Sequence, residues 1–574
     1  MRFFCEGMLA IDAQRPRGHA RGAPYDSAPV AADTTAPPAA GDDPEQPTHG
    51  APPGGGGIAR NTAIFSAATG LSRIAGLVRE IVASSYFATS GAFSAFTIAF
   101  QVPNLVRSLF ADAALSAAFV PVFTELLEHG KRREAFRLAS TLLVLIIAIL
   151  GAITAFFILA AGVVMPQFTG HEFTSQLDHL TVGLSRVLFP IVVLLGVNGL
   201  VVGILNAYEH FSIPAIAPLV WNVVIIVVLI VARPFFHGQQ QLYAYAIGVL
   251  LGTVVQLAMA LPMLRRVGFR FDLHFDPRDP RVGRIFKLML PVTIGLGVIN
   301  FDLLINSSLG SLVSDQAPRA IDAAFRIYML PQGVFSVALA TVLFPALSRL
   351  AARGDLDALR ATAASGIRQI ILMLLPAAVF TGALATPITR LIYQHGAFGA
   401  SSTDQVSLAL FWFSFSLPFA GVNLLLTRAF FSLQRPWIPT ALAAANLVVN
   451  AAVSLALYRP YGIAGLVIGT AVASAGMTAT QAIALRRALH GRLEGRRTAA
   501  AVAAIASASA LLGLVSYVTW AALDALFGRS VPAQVISVGA AAAAGTAAFV
   551  AAVVWMQLPD AEQVRALVRA RLAR

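Results

Sequence analysis

Residues 61–88 read NTAIFSAATGLSRIAGLVREIVASSYFA, and residues 92–127 read AFSAFTIAFQVPNLVRSLFADAALSAAFVPVFTELL. Both are long and apolar enough to cross a bilayer, which takes about 20 helical residues. Yet Arg73, Arg79 and Arg107 lie inside them. An arginine at the centre of a spanning helix costs about 2.5–3.5 kcal/mol on insertion scales. Such residues persist where they face a partner or a wet interior instead of acyl chains. Three of them in adjacent helices point to a helical bundle around a cationic chamber that receives an anion. The chain therefore reads as a membrane transporter for something negatively charged.

Composition agrees. The chain has 574 residues, 57% hydrophobic and 12% charged, with mean hydropathy +0.74. Soluble domains carry about 25% charged residues. The net charge of +13 does not call for nucleic acid, because the basic residues sit in loops between apolar segments. The single cysteine, Cys5, excludes a disulfide framework and a thiolate metal site. No cleavable secretory signal is expected, since the first apolar run follows a long polar tail and exceeds a signal-peptide core.

Residues 1–57, rich in Pro, Gly, Ala and Asp, have the composition of a disordered cytoplasmic tail. A later start, for example at Met8, is an alternative. Fourteen spans are expected, at 60–88, 92–126, 138–164, 180–207, 214–232, 241–263, 285–311, 319–349, 366–388, 403–431, 437–457, 462–486, 498–525 and 531–556. The fold class is all-α. Arginine-rich connections follow the even-numbered spans, as at Lys131–Arg137 and Arg265–Arg284, whereas the opposite loops hold mostly single arginines: Arg233, Arg319, Arg390, Arg459 and Arg529. The positive-inside rule then puts both termini in the cytoplasm.

The chain repeats itself. AFVPVFTELLEHGKRREAFR (118–137) resembles VLFPALSRLAARGDLDALR (342–360), and GVNGLVVGILNAYEHFSIP (196–214) resembles GVNLLLTRAFFSLQRPWIP (421–439). Gly130 meets Gly354, and Pro214 meets Pro439. Six spans fit in each unit, so the halves share one orientation about an axis along the membrane normal and place their cargo between them. The division is 58–283 for one lobe, 284–490 for the other, and 491–574 for a last pair of spans with a basic end.

Arg73 lies about a dozen residues into the first span, ~18 Å deep. Arg79 and Glu80 follow. An internal Arg79–Glu80 or Arg73–Glu80 pair that merely packs the bundle is the alternative to a cargo site. In the second span Pro103 interrupts the backbone ladder, with Arg107 and Asp112 beyond it; a static kink with an Arg107–Asp112 pair is the alternative there. Arg326, in the repeat-mate of span two, is expected across the chamber from Arg107, or else is an interfacial anchor. Pro331 and Gly333 supply a flexible point beside it. Asp302 in span seven is a cation or proton site or a partner for a cavity arginine. Asn306, Asn446 and Asn450 are polar groups within spans, the last two i,i+4 on one face; hydrogen bonds between helices explain them as well as ion binding does. No phosphate-binding loop, HExxH motif or acidic Mg²⁺ cluster is present, so no catalytic residue, ATP site or resident metal is expected.

SRIAGLVRE (72–80), PNLVRSLFADAALSAAFVPVF (103–123), FSIPAIAPLVWN (211–222), LPQGVFSVALATVLFPALSR (330–349) and LIYQHGAF (391–398) resemble the MurJ (MviN) family over essentially residues 58–560. That family comprises lipid II flippases of the multidrug/oligosaccharidyl-lipid/polysaccharide exporter superfamily. The resemblance implies two six-span lobes plus a final pair in a bacterial inner membrane. It also implies a cationic cavity for a diphosphate–sugar head group and a groove at spans thirteen and fourteen for a polyprenyl tail. It places the family's cavity arginines on Arg73, Arg79, Arg107 and Arg326, and the acid after the span-two arginine on Asp112. Ser94 stands where the family commonly has aspartate, which removes one carboxylate from the gate. Some members bind sodium through acids in spans seven and eleven, and the matching positions here read Asn306 and Asn450. The implied partners are a lipid-linked peptidoglycan precursor, membrane lipids and other wall-synthesis proteins, with Na⁺ or H⁺ as the coupling ion and no cofactor. An exporter of another polyprenyl-diphosphate glycan, or a non-transporting scaffold, are the competing readings.

Overall fold

A computed structural model describes residues 55–110, 113–272, 275–491 and 494–557. The chain divides into two units, Met1–Thr62 and Ala63–Arg574, and the second holds the spanning bundle. Most of the expected tail, residues 1–54, and Asp112 lie outside the described residues.

The elements are α1 (Gly55–Phe87), α2 (Gly91–Phe110), α3 (Ala113–Glu128), α4 (Arg132–Val164), α5 (Ser175–Leu188), α6 (Ile191–Ala207), α7 (Ser212–Ala232), α8 (Leu242–Arg266) and α9 (Pro280–Gly310). They continue with α10 (Ala317–Pro331), a π turn (Gln332–Ser336), α11 (Val337–Ala352), α12 (Leu356–Ala383), α13 (Ala385–Tyr393), α14 (Ala400–Ser432), α15 (Trp437–Tyr461), α16 (Ile463–Ala488), α17 (Gly495–Phe527) and α18 (Val531–Trp555). No strand occurs among the described residues. In lipid each backbone polar group must be satisfied within its own segment, which helices alone achieve without closing a barrel.

Each expected span falls on one helix or on two consecutive ones. Among the described residues eleven helical segments are long and apolar enough to cross a membrane. The other three expected spans fall on α1, on α2 with α3, and on α9, and are not among those eleven. Several ends carry their own signals. Asp279 accepts from the Arg281 N–H at 2.9 Å and Pro280 follows as the first helical residue of α9. Asp355 accepts from the Ala358 N–H at 3.0 Å to start α12. Span four is two helices, because Pro190 cannot continue the ladder begun by α5.

The repeat reappears in the corners. Gly130 and Gly354 both take φ +70°. Each donates its N–H to a carbonyl three residues back (Leu127 at 3.0 Å, Ala351 at 3.1 Å), and the next residue donates to Leu126 or Leu350 at 2.9 and 3.1 Å. That is a left-handed helix cap with two bonds. Glu209 and Gln434, at φ 58° and 56°, close the other matched pair in the same way.

Among the described residues two large clusters of buried side chains form the core, one running from Ala83 to Leu304 and one from Ala317 to Leu489, and a small third one (Leu372, Ile505, Ala508, Ala552 and Val553) seats the last two helices. Helix α9 contributes Val282, Ile285, Met289 and Leu304 to the first, although the sequence division assigns it to the second half. Outside the clusters, large apolar side chains such as Leu159 (83% exposed) and Val163 form the surface that lipid covers. The end of the bundle bearing the sparsely charged loops is called the outer end.

Candidate functional site: an arginine cluster between the lobes

The start of α2 and the start of α10 meet α1 at the outer end. The Ser94 hydroxyl oxygen accepts the Arg319 backbone N–H at 3.2 Å, one of the donors a helix start leaves without an internal partner. Ser94 is thus a helix cap in this chain, an uncharged joint where the resemblance implied a carboxylate. The joint seats Arg319, 1% exposed, with its guanidinium 3.9 Å from the Phe93 ring centre.

Glu80, 3% exposed, is the hub. Its Oε1 accepts from Arg79 Nη2 at 2.7 Å and Nε at 3.3 Å, and from the Tyr245 hydroxyl at 3.4 Å. Its Oε2 faces Arg319 Nη2 at 3.0 Å and Arg326 Nε at 3.2 Å. Asp322 lies between the two arginines of α10, accepting from Arg319 Nη1 at 2.7 Å and Arg326 Nε at 2.9 Å. Three guanidinium groups share two carboxylates, leaving one positive charge in excess. Buried ions demand such pairing. The cluster joins α1 to α10 and hence one half of the chain to the other.

The Arg79–Glu80 pair weighed from the sequence is present, and an Arg73–Glu80 pair is not. Arg73 is exposed and makes no hydrogen bond or ion pair among the described residues. It does not face outward to lipid: its Nη1 lies 3.2 Å from where a Cβ on Gly333 would stand, across the interface in the π turn. Arg107 donates through Nε and Nη2 to Asn104 Oδ1 at 3.1 and 2.9 Å, and Asn104 Nδ2 donates to Asn300 on α9 at 3.1 Å. Arg326 is no interfacial anchor. Its side chain is 33% exposed, so it reaches the carboxylates while one side stays open.

The span-seven and span-eleven polar residues form a separate group. Asp302 Oδ1 accepts from Asn450 Nδ2 at 2.6 Å, and Oδ2 from Asn306 Nδ2 at 3.4 Å. Asn450 Nδ2 also reaches Asn306 Oδ1 at 3.1 Å, and Asn450 Oδ1 accepts from Ser454 and Thr470 hydroxyls at 3.3 and 3.4 Å. Asn446 Oδ1 is buried and accepts nothing among the described residues. Asp302 therefore supplies the carboxylate that Asn306 and Asn450 lack, and it pairs with amides instead of a cavity arginine. A carboxylate, carbonyl oxygens and hydroxyls are the donor set of a hard cation.

An apolar cavity of about 1330 Å³ opens between α12, α14, α16 and α17, lined by Ile371, Leu375, Val379, Phe415 and Val502, with Arg486 and Arg496 among its lining. The resemblance implied a tail groove at spans thirteen and fourteen; the cavity is bounded by span thirteen together with spans nine, ten and twelve.

A family model described as lipid II flippase MurJ matches residues 83–561. The chain belongs to the MurJ family. Relatives include a lipid II flippase MurJ of Burkholderia cenocepacia, 31% identical over 409 residues, covering 70% of this chain and 78% of the relative. A probable lipid II flippase MurJ of Rhizobium tropici is 31% identical over 406 residues, covering 70% and 76%. Among solved structures, a lipid II flippase MurJ in an inward closed conformation matches with TM-score 0.72 at 20% identity over 86% of this chain and 99% of that one. An inward-facing MATE-family transporter of the MOP superfamily matches with TM-score 0.64 at 15% identity, over 73% and 94%. At these identities the likeness is one of fold. The MurJ fold here carries Arg319, which the sequence groups with the single loop arginines, and Asp322, which is not singled out from the sequence.

Proposed function

We propose that this chain is a transporter that flips lipid II, the lipid-linked peptidoglycan precursor, from the cytoplasmic to the outer leaflet by alternating access. Family membership supplies the cargo, and Arg73 carries the physical case. It is a guanidinium inside a membrane helix, turned to the interface between the lobes and left without a counter-ion among the described residues. A diphosphate is the complementary ligand, since a guanidinium fork matches phosphate oxygens.

The head group enters from the cytoplasmic side and meets Arg73 and Arg107. Its charge then competes with Glu80 and Asp322 for the half-open Arg326. Drawing Arg326 away weakens the bond between the lobes at the outer end, and the cargo thereby favours the outward-open state, as a ligand must if it is to shift the equilibrium. An inside-negative potential assists outward movement of an anion by ~2.3 kcal/mol per charge per 100 mV. The Asp302, Asn306, Asn446 and Asn450 group is proposed to take the coupling Na⁺ or H⁺, and the apolar cavity the polyprenyl tail. The membrane is the bacterial inner membrane, with both termini cytoplasmic in keeping with the arginine-rich loops.

The test is complementation in cells depleted of their own flippase. Arg73→Ala should reach the membrane in normal amount, fail to restore growth, and leave lipid II accumulating in the inner leaflet. Growth at the wild-type rate with this variant would overturn the reading.

A further inference from the structure

The motif FSIPAIAPLVWN ends in two residues that the cycle above does not use, Trp221 and Asn222 on α7. The Trp221 ring lies under Arg79, 4.9 Å from its guanidinium carbon. The indole Nε1 donates to Thr253 Oγ1 at 3.1 Å, and that hydroxyl donates to the Val249 carbonyl at 2.8 Å. Gly252 backs the ring: a Cβ there would stand 3.1 Å from Trp221 Cδ1. The ring is held by its edge and its rear, leaving its face to the cation.

Asn222 is 5% exposed. Its Nδ2 donates to the Pro218 carbonyl at 2.8 Å and, more weakly, towards the Ser72 carbonyl at 3.5 Å. Two carbonyl acceptors fix which end of the amide is the donor. Oδ1 is thereby presented to Arg79 Nη1 at 3.0 Å. Ring face, amide oxygen and the Glu80 carboxylate close on Arg79 from three sides. Arg73, six residues earlier on the same helix, is ~9 Å away along the axis and in a different sector of the helix, with no such seat.

We propose that Asn222, with the Trp221 ring, is a positioning residue that keeps Arg79 on Glu80 in the outer latch and away from the cargo, so that the two arginines of α1 divide the work: Arg79 holds the gate, Arg73 meets the phosphate. The division rests on the flippase reading, but the seat itself does not.

The Thr89 and Ser402 hydroxyls, 2.8 Å apart across the outer end, give a reporter. A Thr89→Cys/Ser402→Cys pair in a Cys5→Ser background forms a disulfide in proportion to outer closure. Asn222→Leu keeps the volume and removes both polar ends. A hydrogen bond to a charged group is worth enough that the closed-to-open ratio should fall about tenfold or more. Trp221→Phe, which keeps a ring face, should stay within about twofold, while Trp221→Leu should fall with Asn222→Leu. An unchanged disulfide yield in Asn222→Leu overturns the proposal. Should that variant fail to reach the membrane, equal yields for Phe and Leu at 221 overturn it instead. The readout needs no cargo. Loss of closure in Asn222→Leu alongside normal lipid II distribution in depleted cells would support the seat and sink the flippase reading alone.

Discussion

Glu80 is the residue on which the outer closure turns, since Arg79, Arg319 and Arg326 all reach its two oxygens. Glu80→Gln keeps the shape and removes the charge, leaving three guanidinium groups to Asp322 alone. Removing one partner of a buried ion pair costs about 3–5 kcal/mol. The disulfide yield of the Thr89→Cys/Ser402→Cys reporter should therefore fall to background in Glu80→Gln, with complementation lost; a retained disulfide would show that other contacts hold the gate. Arg73→Ala should do the reverse, leaving the reporter unchanged and stopping transport, because Arg73 takes no part in the latch. The chain shows Arg73, Arg79, Arg107 and Arg326 plainly, since charges inside apolar runs need a reason to be there. Arg319 is hidden, because a single arginine beside an outer loop looks like an anchor. Its one linear signal is the spacing Arg319, Asp322, Arg326, an acid set i,i+3 and i,i+4 between two cations on one helix face. What buries it, Phe93, Ser94 and Glu80, arrives from other helices and leaves no mark at positions 317–326.

The π turn Gln332–Ser336 is the element that opposes Arg73. A π turn within an α-helix leaves the regular ladder and commonly marks a working site. Gly333 gives the guanidinium its room: a Cβ there meets Arg73 Nη1 at 3.2 Å, the flexible end of a long side chain. Gly333→Ala should therefore complement nearly as well as the parent, while Gly333→Leu, which fills the space where the cargo would join Arg73, should fail at normal membrane abundance. Equal growth of both would remove the turn from the site. Pro331 and Gly333 announce a weak point in the sequence, but not that the backbone resolves it as a π turn, which depends on packing against α14. The repeat corners were easier to read. Gly130 and Gly354 are matched by their neighbours in sequence, and both take a left-handed φ. An L-residue in that conformation costs about 1–2 kcal/mol, so Gly354→Ala should lower the melting temperature of the purified protein without altering the reporter. The break at Pro190 is missed by a reading of hydropathy alone, because the run VLFPIVVLL (187–195) stays apolar straight through it.

At the scale of the molecule, the polar contacts between the two halves among the described residues gather at the outer end. Besides the arginine cluster, the Ala397 N–H donates to the Ser85 carbonyl at 2.8 Å, and Thr89 meets Ser402. At the other end the bridges run through α9, whose Arg284 and Arg281 reach Glu125 and Glu134 at 3.1 and 2.7 Å. Helix α9 shares the buried cluster of the first half, while its Asp302 and Asn306 bond Asn450 of α15, so the Arg281 and Arg284 bridges hold α9 to the first half without joining any later helix to it. The described state is thus held shut at that end by contacts that a rocking motion of the halves must break together. That makes the closure a candidate for covalent capture. Oxidising the Thr89→Cys/Ser402→Cys protein should abolish appearance of lipid II in the outer leaflet while lipid II continues to bind from the inside, and a reductant should restore transport. Binding and transport lost together would mean that the clamp distorts the cargo site. Transport persisting with the disulfide intact would mean that the cargo crosses without separating these helices, and alternating access in this molecule would have to be abandoned.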